Sequence, residues 1–145
     1  VDAGGAYDLA ALAARCDGLL LATTPDPVTK NGIRVAPLEP PEEIVRAMAA
    51  VPAAARSKLI LTLSTTAGGR TEAEVQALAA KNRAYYSDRY AQSYLLPSGG
   101  SAVWYHDEAS IQERVQLCRL FGIGTVALSD LSALSEGSGI LKGIR

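Results

Sequence analysis

The chain has 145 residues, a hydrophobic fraction of 48% and a formal net charge of −1. That length suits about one domain, and the near-neutral balance, with no Lys/Arg cluster, excludes the basic footprint of a nucleic-acid binder. No apolar run approaches the roughly 18 residues that a membrane span needs, and a single histidine excludes a His-cluster metal site.

Asp8 is placed to cap a helix whose apolar face carries Leu9, Leu12, Ala13 and Cys16. Leu19-Leu20-Leu21-Ala22 reads as a buried strand. It leads into a loop over residues 23–41, where Pro25, Pro27, Gly32, Pro37, Pro40 and Pro41 exclude a helix. Pro41-Glu42-Glu43 opens the next helix, with proline near its first position and acids in its first turn. Ile44, Met48 and Val51 form its stripe, and Pro52 ends it. Residues 58–63 read as a second buried strand.

Gly68-Gly69 is a turn, and Thr71 and Glu74 have capping-box spacing at the start of a helix through Val75 and Leu78. Residues 85–100, aromatic and glycine-punctuated, read as a loop with a short extended piece. Residues 102–105 suit a strand, and Asp107 is an N-cap for a helix with Ile111, Val115, Cys118 and Phe121 on one stripe. Gly122 and Gly124 let the chain leave that helix. Residues 125–128 form a third strand of the kind buried on both faces. In the poorly patterned tail, Ile140 and Leu141 read as a final helical turn. Cys16 and Cys118 both fall on apolar stripes and read as buried free thiols. The chain opens on Val without a signal-peptide pattern, which reads as a processed or excised piece.

Three core strands, each preceded by a helix, imply an α/β fold with a parallel sheet and right-handed crossovers. No phosphate loop or Gly-x-Gly-x-x-Gly follows any strand, so no nucleotide cofactor is expected.

Val103-Trp-Tyr-His-Asp-Glu-Ala-Ser-Ile, with Asp17-Gly-Leu-Leu-Leu-Ala-Thr-Thr, Lys58-Leu-Ile-Leu-Thr-Leu-Ser and Gly124-Thr-Val-Ala-Leu-Ser-Asp-Leu in that order, resembles the C-terminal part of glycoside hydrolase family 18 barrels. These are the chitinase-like enzymes, and the resemblance is strongest to the bacterial spore-cortex and cell-wall hydrolase branch. It covers residues 7–131 and implies that residues 1–145 are one unit, the last three or so strand–helix units of a (β/α)₈ barrel. A whole barrel takes about 250 residues. The resemblance therefore implies a partner for the exposed strand edges, either an N-terminal barrel half or a second copy.

The family's acid-base Glu lies in an Asp-x-x-Asp-x-Glu motif, which this chain lacks. Its Tyr–Asp pair, which holds the substrate's N-acetyl group, aligns with Thr24 and Pro25, with Asp26 one position late. The Trp that floors the sugar site aligns with Ser129. The resemblance thus implies descent from hydrolases of β-1,4-N-acetylglucosamine glycans, chitin or peptidoglycan, with no catalytic residue in this piece. The alternative is a non-catalytic glycan-binding or partner-docking module. An extracellular or cell-envelope location follows from the same likeness.

Barrel sites sit at strand C-termini. The expected substrate contacts are therefore Thr23, Thr24, Asp26, Ser129 and Asp130, with Trp104 as a stacking face. Tyr85, Tyr86, Tyr90 and Tyr94 read either as a groove lining or as loop tyrosines covering a sheet end. His106 reads as a surface or supporting residue. Glu42, Glu43, Glu72 and Glu74 read as helix-start acids.

Overall fold

A computed structural model describes residues 7–98 and 101–145. Its central sheet holds β1 (Leu19–Leu21), β4 (Leu59–Leu63) and β8 (Thr125–Leu128), in the order β1-β4-β8. Both pairings are parallel, as expected, with Leu19 opposite Leu59 and Leu61 opposite Val126.

Helices α1 (Leu9–Arg15), α2 (Pro41–Ala50), α3 (Ala53–Arg56), α5 (Glu108–Phe121) and α6 (Gly139–Gly143) contribute to the core against this sheet. Leu19, Leu21, Leu59, Leu61 and Leu63 meet Ile44, Met48, Ile111, Val115 and Cys118 in one cluster. Each such burial contributes about 1.5–3 kcal/mol.

The expectation that these strands are covered on both faces is corrected. Leu20 is 54% exposed, and Ile60 and Thr62 are only half-buried. The covering helices pack against the alternate residues, so the other face is only partly buried.

The predicted caps form. Asp8 accepts from the Ala11 amide at 3.0 Å. Thr71 with Glu74 closes a capping box on α4 (Glu72–Ala79), and Asp107 with Ser110 closes one on α5. Gly122 ends α5 at φ 77°, where a side chain would be strained. Both cysteines are free thiols; Cys118 is buried and Cys16 half-buried.

Two segments read as loops contain sheets. Within residues 23–41, β2 (Val28–Lys30) and β3 (Ile33–Val35) form an antiparallel hairpin. Asn31 and Gly32 turn it at φ 51° and 76°, the primed-turn geometry that Asn-Gly favours. Within residues 85–100, of which 99 and 100 lie outside the described residues, the chain is largely extended. Here β5 (Ala84–Ser87) and β6 (Gln92–Leu95) pair antiparallel, and β6 pairs with β7 (Val103–Tyr105). The predicted strand before α5 therefore belongs to this separate sheet, outside the parallel one. The tail forms a 3₁₀ turn (Leu131–Ala133) and α6, so the expected last helical turn is present.

Candidate functional site

The C-terminal ends of β1, β4 and β8 lie side by side, and a carboxylate that sequence reading passed over joins two of them. Glu39 lies between β3 and α2 and is 2% exposed. It accepts from Thr24 Oγ1 at 2.6 Å and Ser64 Oγ at 2.7 Å on one oxygen. The other oxygen accepts from the Ser64 amide at 3.1 Å and His106 Nε2 at 2.8 Å. Thr24 follows β1, Ser64 follows β4, and His106 joins β7 to α5. One side chain therefore ties three junctions together.

His106 is buried, which corrects its reading as a surface residue. Its tautomer follows from its neighbours. Gln92 Oε1 accepts from the Leu38 amide at 2.8 Å, which turns the Gln92 amino group toward His106 Nδ1 at 3.0 Å. We assign Nδ1, which also lies 3.2 Å from Ser110 Oγ, as the acceptor of that N–H, giving a neutral ring whose Nε2–H donates to Glu39. Burial pushes the His106 pKa below its ordinary value, against the opposing pull of Glu39. Burial alone would raise the Glu39 carboxyl; His106, Thr24 and Ser64 outweigh it and hold the pKa below the ordinary value.

Arg114, wholly buried on α5, completes the network. It donates to the carbonyls of Glu39 (2.9 Å), Leu38 (3.1 Å), Tyr90 (2.9 Å), Ala91 (2.7 Å) and Ser110 (2.8 Å). Glu39 and Ala91 have φ of 36° and 45°. Such left-handed conformations are uncommon outside glycine, and the guanidinium holds both of their carbonyls. Burial lowers its pKa to about 10.

The expected contact residues are mostly committed to the protein itself. Thr24 donates to Glu39. Ser129 Oγ accepts from the Thr65 amide at 3.1 Å, and the Asp130 amide donates to Thr65 Oγ1 at 3.1 Å. The Asp130 carboxylate caps the 3₁₀ turn through Ser132, whose side-chain and backbone hydrogen bonds lower its pKa. Thr23 is buried with its hydroxyl unpartnered. Asp26 is exposed. Glu72 does more than open its helix: it accepts from Ser135, Ser138 and Gly139 of the tail.

Trp104 is buried in the small sheet, with its indole N–H unpartnered. Tyr85, Tyr94 and Trp104 lie in cross-strand register and stack, with ring centroids 5.5 and 4.6 Å apart. Tyr90 meets Trp104 edge-on at 5.2 Å. The tyrosines thus build an aromatic ladder on strands, where a loop was expected. Among the described residues no cluster of His, Cys, Asp and Glu is arranged to hold a metal.

Neither family models nor curated proteins match the sequence. Solved structures match the fold. A chitinase from Chromobacterium violaceum ATCC 12472 superposes with a TM-score of 0.73 at 19% identity, over 95% of this chain and 49% of that one. A class V chitinase from Pseudomonas fluorescens Pf-5 gives 0.69 at 21%, over 96% and 51%. The spore cortex-lytic enzyme SleL from Bacillus megaterium QM B1551 gives 0.65 at 16%, over 95% and 34%. At these identities the likeness is one of fold. It is the fold of the chitinase-like and spore-cortex enzymes that the sequence resembles. The chain spans about half the length of the two chitinases and a third of SleL.

Proposed function

We propose that residues 1–145 are one unit, a C-terminal portion of a (β/α)₈ barrel, descended from hydrolases of β-linked N-acetylglucosamine glycans. In this reading the piece contributes glycan contacts and no catalytic acid. The observation that carries it is the parallel β1-β4-β8 sheet, with the C-terminal ends of β1 and β4 tied together by Glu39, in a fold shared with chitinases. The partly buried second face of the sheet supports the barrel assignment, because alternate residues of a closed barrel's strands point into its interior. An N-terminal barrel half is the partner that would cover this face; self-association is the other way to cover it.

The contacts proposed for glycan are Thr23, Thr24, Asp26, Ser129 and Asp130 at the strand ends, with Trp104 as the aromatic component. Their internal hydrogen bonds mean that a sugar must exchange bonds with the protein, so weak binding is expected. The second reading is a non-catalytic glycan-binding or partner-docking module, favoured by Ser129, which stands where the family places the Trp that floors the sugar site.

Incubating the purified chain with N-acetylglucosamine oligomers, while following product release and amide shifts, separates the possibilities. Shifts at residues 23–26 and 104 without cleavage are expected. Turnover that disappears on Asp26→Ala would make Asp26 catalytic and overturn the acid-free reading. Shifts confined to strand N-termini, or none at millimolar sugar, would remove the glycan assignment.

A further inference from the structure

One side chain of the small sheet reaches directly to the segment between β3 and α2. Gln92, on β6 and wholly buried, uses both ends of its amide. Oε1 accepts from the Leu38 amide at 2.8 Å, and Nε2 donates to His106 Nδ1 at 3.0 Å. One residue beyond Leu38, the Glu39 carboxylate accepts from the other imidazole nitrogen at 2.8 Å. Leu38, Gln92, His106 and Glu39 therefore close a circuit of three hydrogen bonds.

That circuit suits a neutral imidazole alone. A proton added at Nδ1 turns an acceptor into a donor and sets two N–H groups against each other. Gln92 can relieve this without moving the backbone, because half a turn of its terminal amide exchanges oxygen and nitrogen. Its oxygen then accepts a charge-assisted bond from the imidazolium, stronger than a bond between neutral groups. The same turn points an NH₂ group at the Leu38 amide, so that bond is lost. Ser110 Oγ is the poorer acceptor: it lies 3.2 Å from Nδ1 and already accepts from the Asp107 amide.

The charges around the imidazole are mixed. Glu39 and Asp107 favour its protonated form, and Arg114 on α5 opposes it; β6 presents the neutral Gln92. Glu72 of α4 and Tyr105 of β7 line, with His106, a cavity of about 300 Å³. It has room for the water that would deliver a proton. Burial raises the Tyr105 pKa, so its phenol stays neutral. The Nε2–H bond to Glu39 survives protonation and gains strength from the charge. Arg114 still holds the Leu38 and Glu39 carbonyls.

We propose that Gln92 and His106 form a pH-operated latch on the Leu38–Glu39 segment. Protonation of His106 turns the Gln92 amide and releases the Leu38 N–H, while the His106–Glu39 bond holds. The release falls next to Glu39, whose backbone is left-handed at φ 36° and whose side chain ties the ends of β1 and β4. The latch needs no ligand and operates whether or not the strand ends bind glycan.

The test follows the full, isotope-labelled chain by nuclear magnetic resonance from about pH 7.5 to about pH 5, across the ordinary histidine range. His106 is the only histidine, so its two nitrogens are read directly. At the neutral end Nδ1 is expected to be the unprotonated one. As the imidazole titrates, the Leu38 amide is expected to lose about tenfold in hydrogen-exchange protection, corrected for the intrinsic rate, at the same midpoint. The Ser64 amide, which donates to Glu39, should keep its protection. Gln92→Met should leave the Leu38 amide weakly protected throughout, and His106→Gln should remove its pH dependence. Circular dichroism at neutral pH checks that both variants fold, and the unsubstituted chain decides alone where they do not. A Leu38 amide that stays protected while His106 titrates overturns the latch. So does a protonated Nδ1 at the neutral end, or an imidazole that takes up no proton before the fold is lost. Protection lost together at Leu38 and Ser64 replaces the latch with general unfolding.

Discussion

Replacing Arg114 with methionine keeps the length and apolar stem of the side chain while removing every donor. Four of the carbonyls it serves, those of Leu38, Glu39, Tyr90 and Ala91, lie outside helices and strands. Each buried carbonyl left unsatisfied costs about 1–3 kcal/mol. Against this, the substitution relieves a desolvated cation. The fall of the Arg114 pKa from 12.5 to about 10 corresponds to roughly 3 kcal/mol. At about 2 kcal/mol per carbonyl, less that relief, the net loss is about 5 kcal/mol. Such a loss is a large part of the roughly 5–15 kcal/mol that holds a domain folded. It should lower the melting temperature by about 15 °C. Arg114→Lys should fall between, because one ammonium cannot span carbonyls from two separate segments. Urea melts followed by circular dichroism and by Trp104 fluorescence measure both variants. A loss below about 1 kcal/mol for Arg114→Met would refute the clamp.

Stability should also fall in acid, in two stages. The folded His106 pKa lies below its ordinary value of 6.5, so the unfolded chain takes up that proton first and stability declines as pH drops through 6.5. The Glu39 contribution is lost in turn as pH falls below 4.5. A denaturation midpoint that stays flat from about pH 7.5 to 5.5 would contradict the neutral histidine. Gly143→Ala should cost about 1–3 kcal/mol, because its Cβ would lie 2.7 Å from both the Glu108 carbonyl oxygen and Ile111 Cβ; chemical denaturation at neutral pH measures this.

The parts legible in the sequence are those that local chemistry determines. Asp8, Thr71 and Asp107 each cap a helix a few residues away, and the apolar runs at residues 19–21, 59–63 and 125–128 mark the parallel strands. The β2–β3 hairpin has a local signal in Asn31-Gly32, but the surrounding prolines carry an equally strong loop signal. The antiparallel sheet was harder, because its pattern lies across strands: Tyr85, Tyr94 and Trp104 stack only once the register exists. The Glu39 network was not legible at all. Its bond to His106 spans 67 residues, and nothing near Glu39 in sequence shows that the chain will surround it.

A carboxyl group at the mouth of parallel strands invites assignment as a general acid, and the geometry of Glu39 opposes that assignment. A general acid must hold a proton and reach its substrate. Each Glu39 oxygen accepts two hydrogen bonds, from the Thr24 and Ser64 hydroxyls on one and from the Ser64 amide and His106 on the other. All four favour the ionised form, and burial does not overcome them. The side chain is also closed to solvent. Glu39 is therefore an anchor: it fixes the segments after β1 and β4 in the charge state least able to donate a proton.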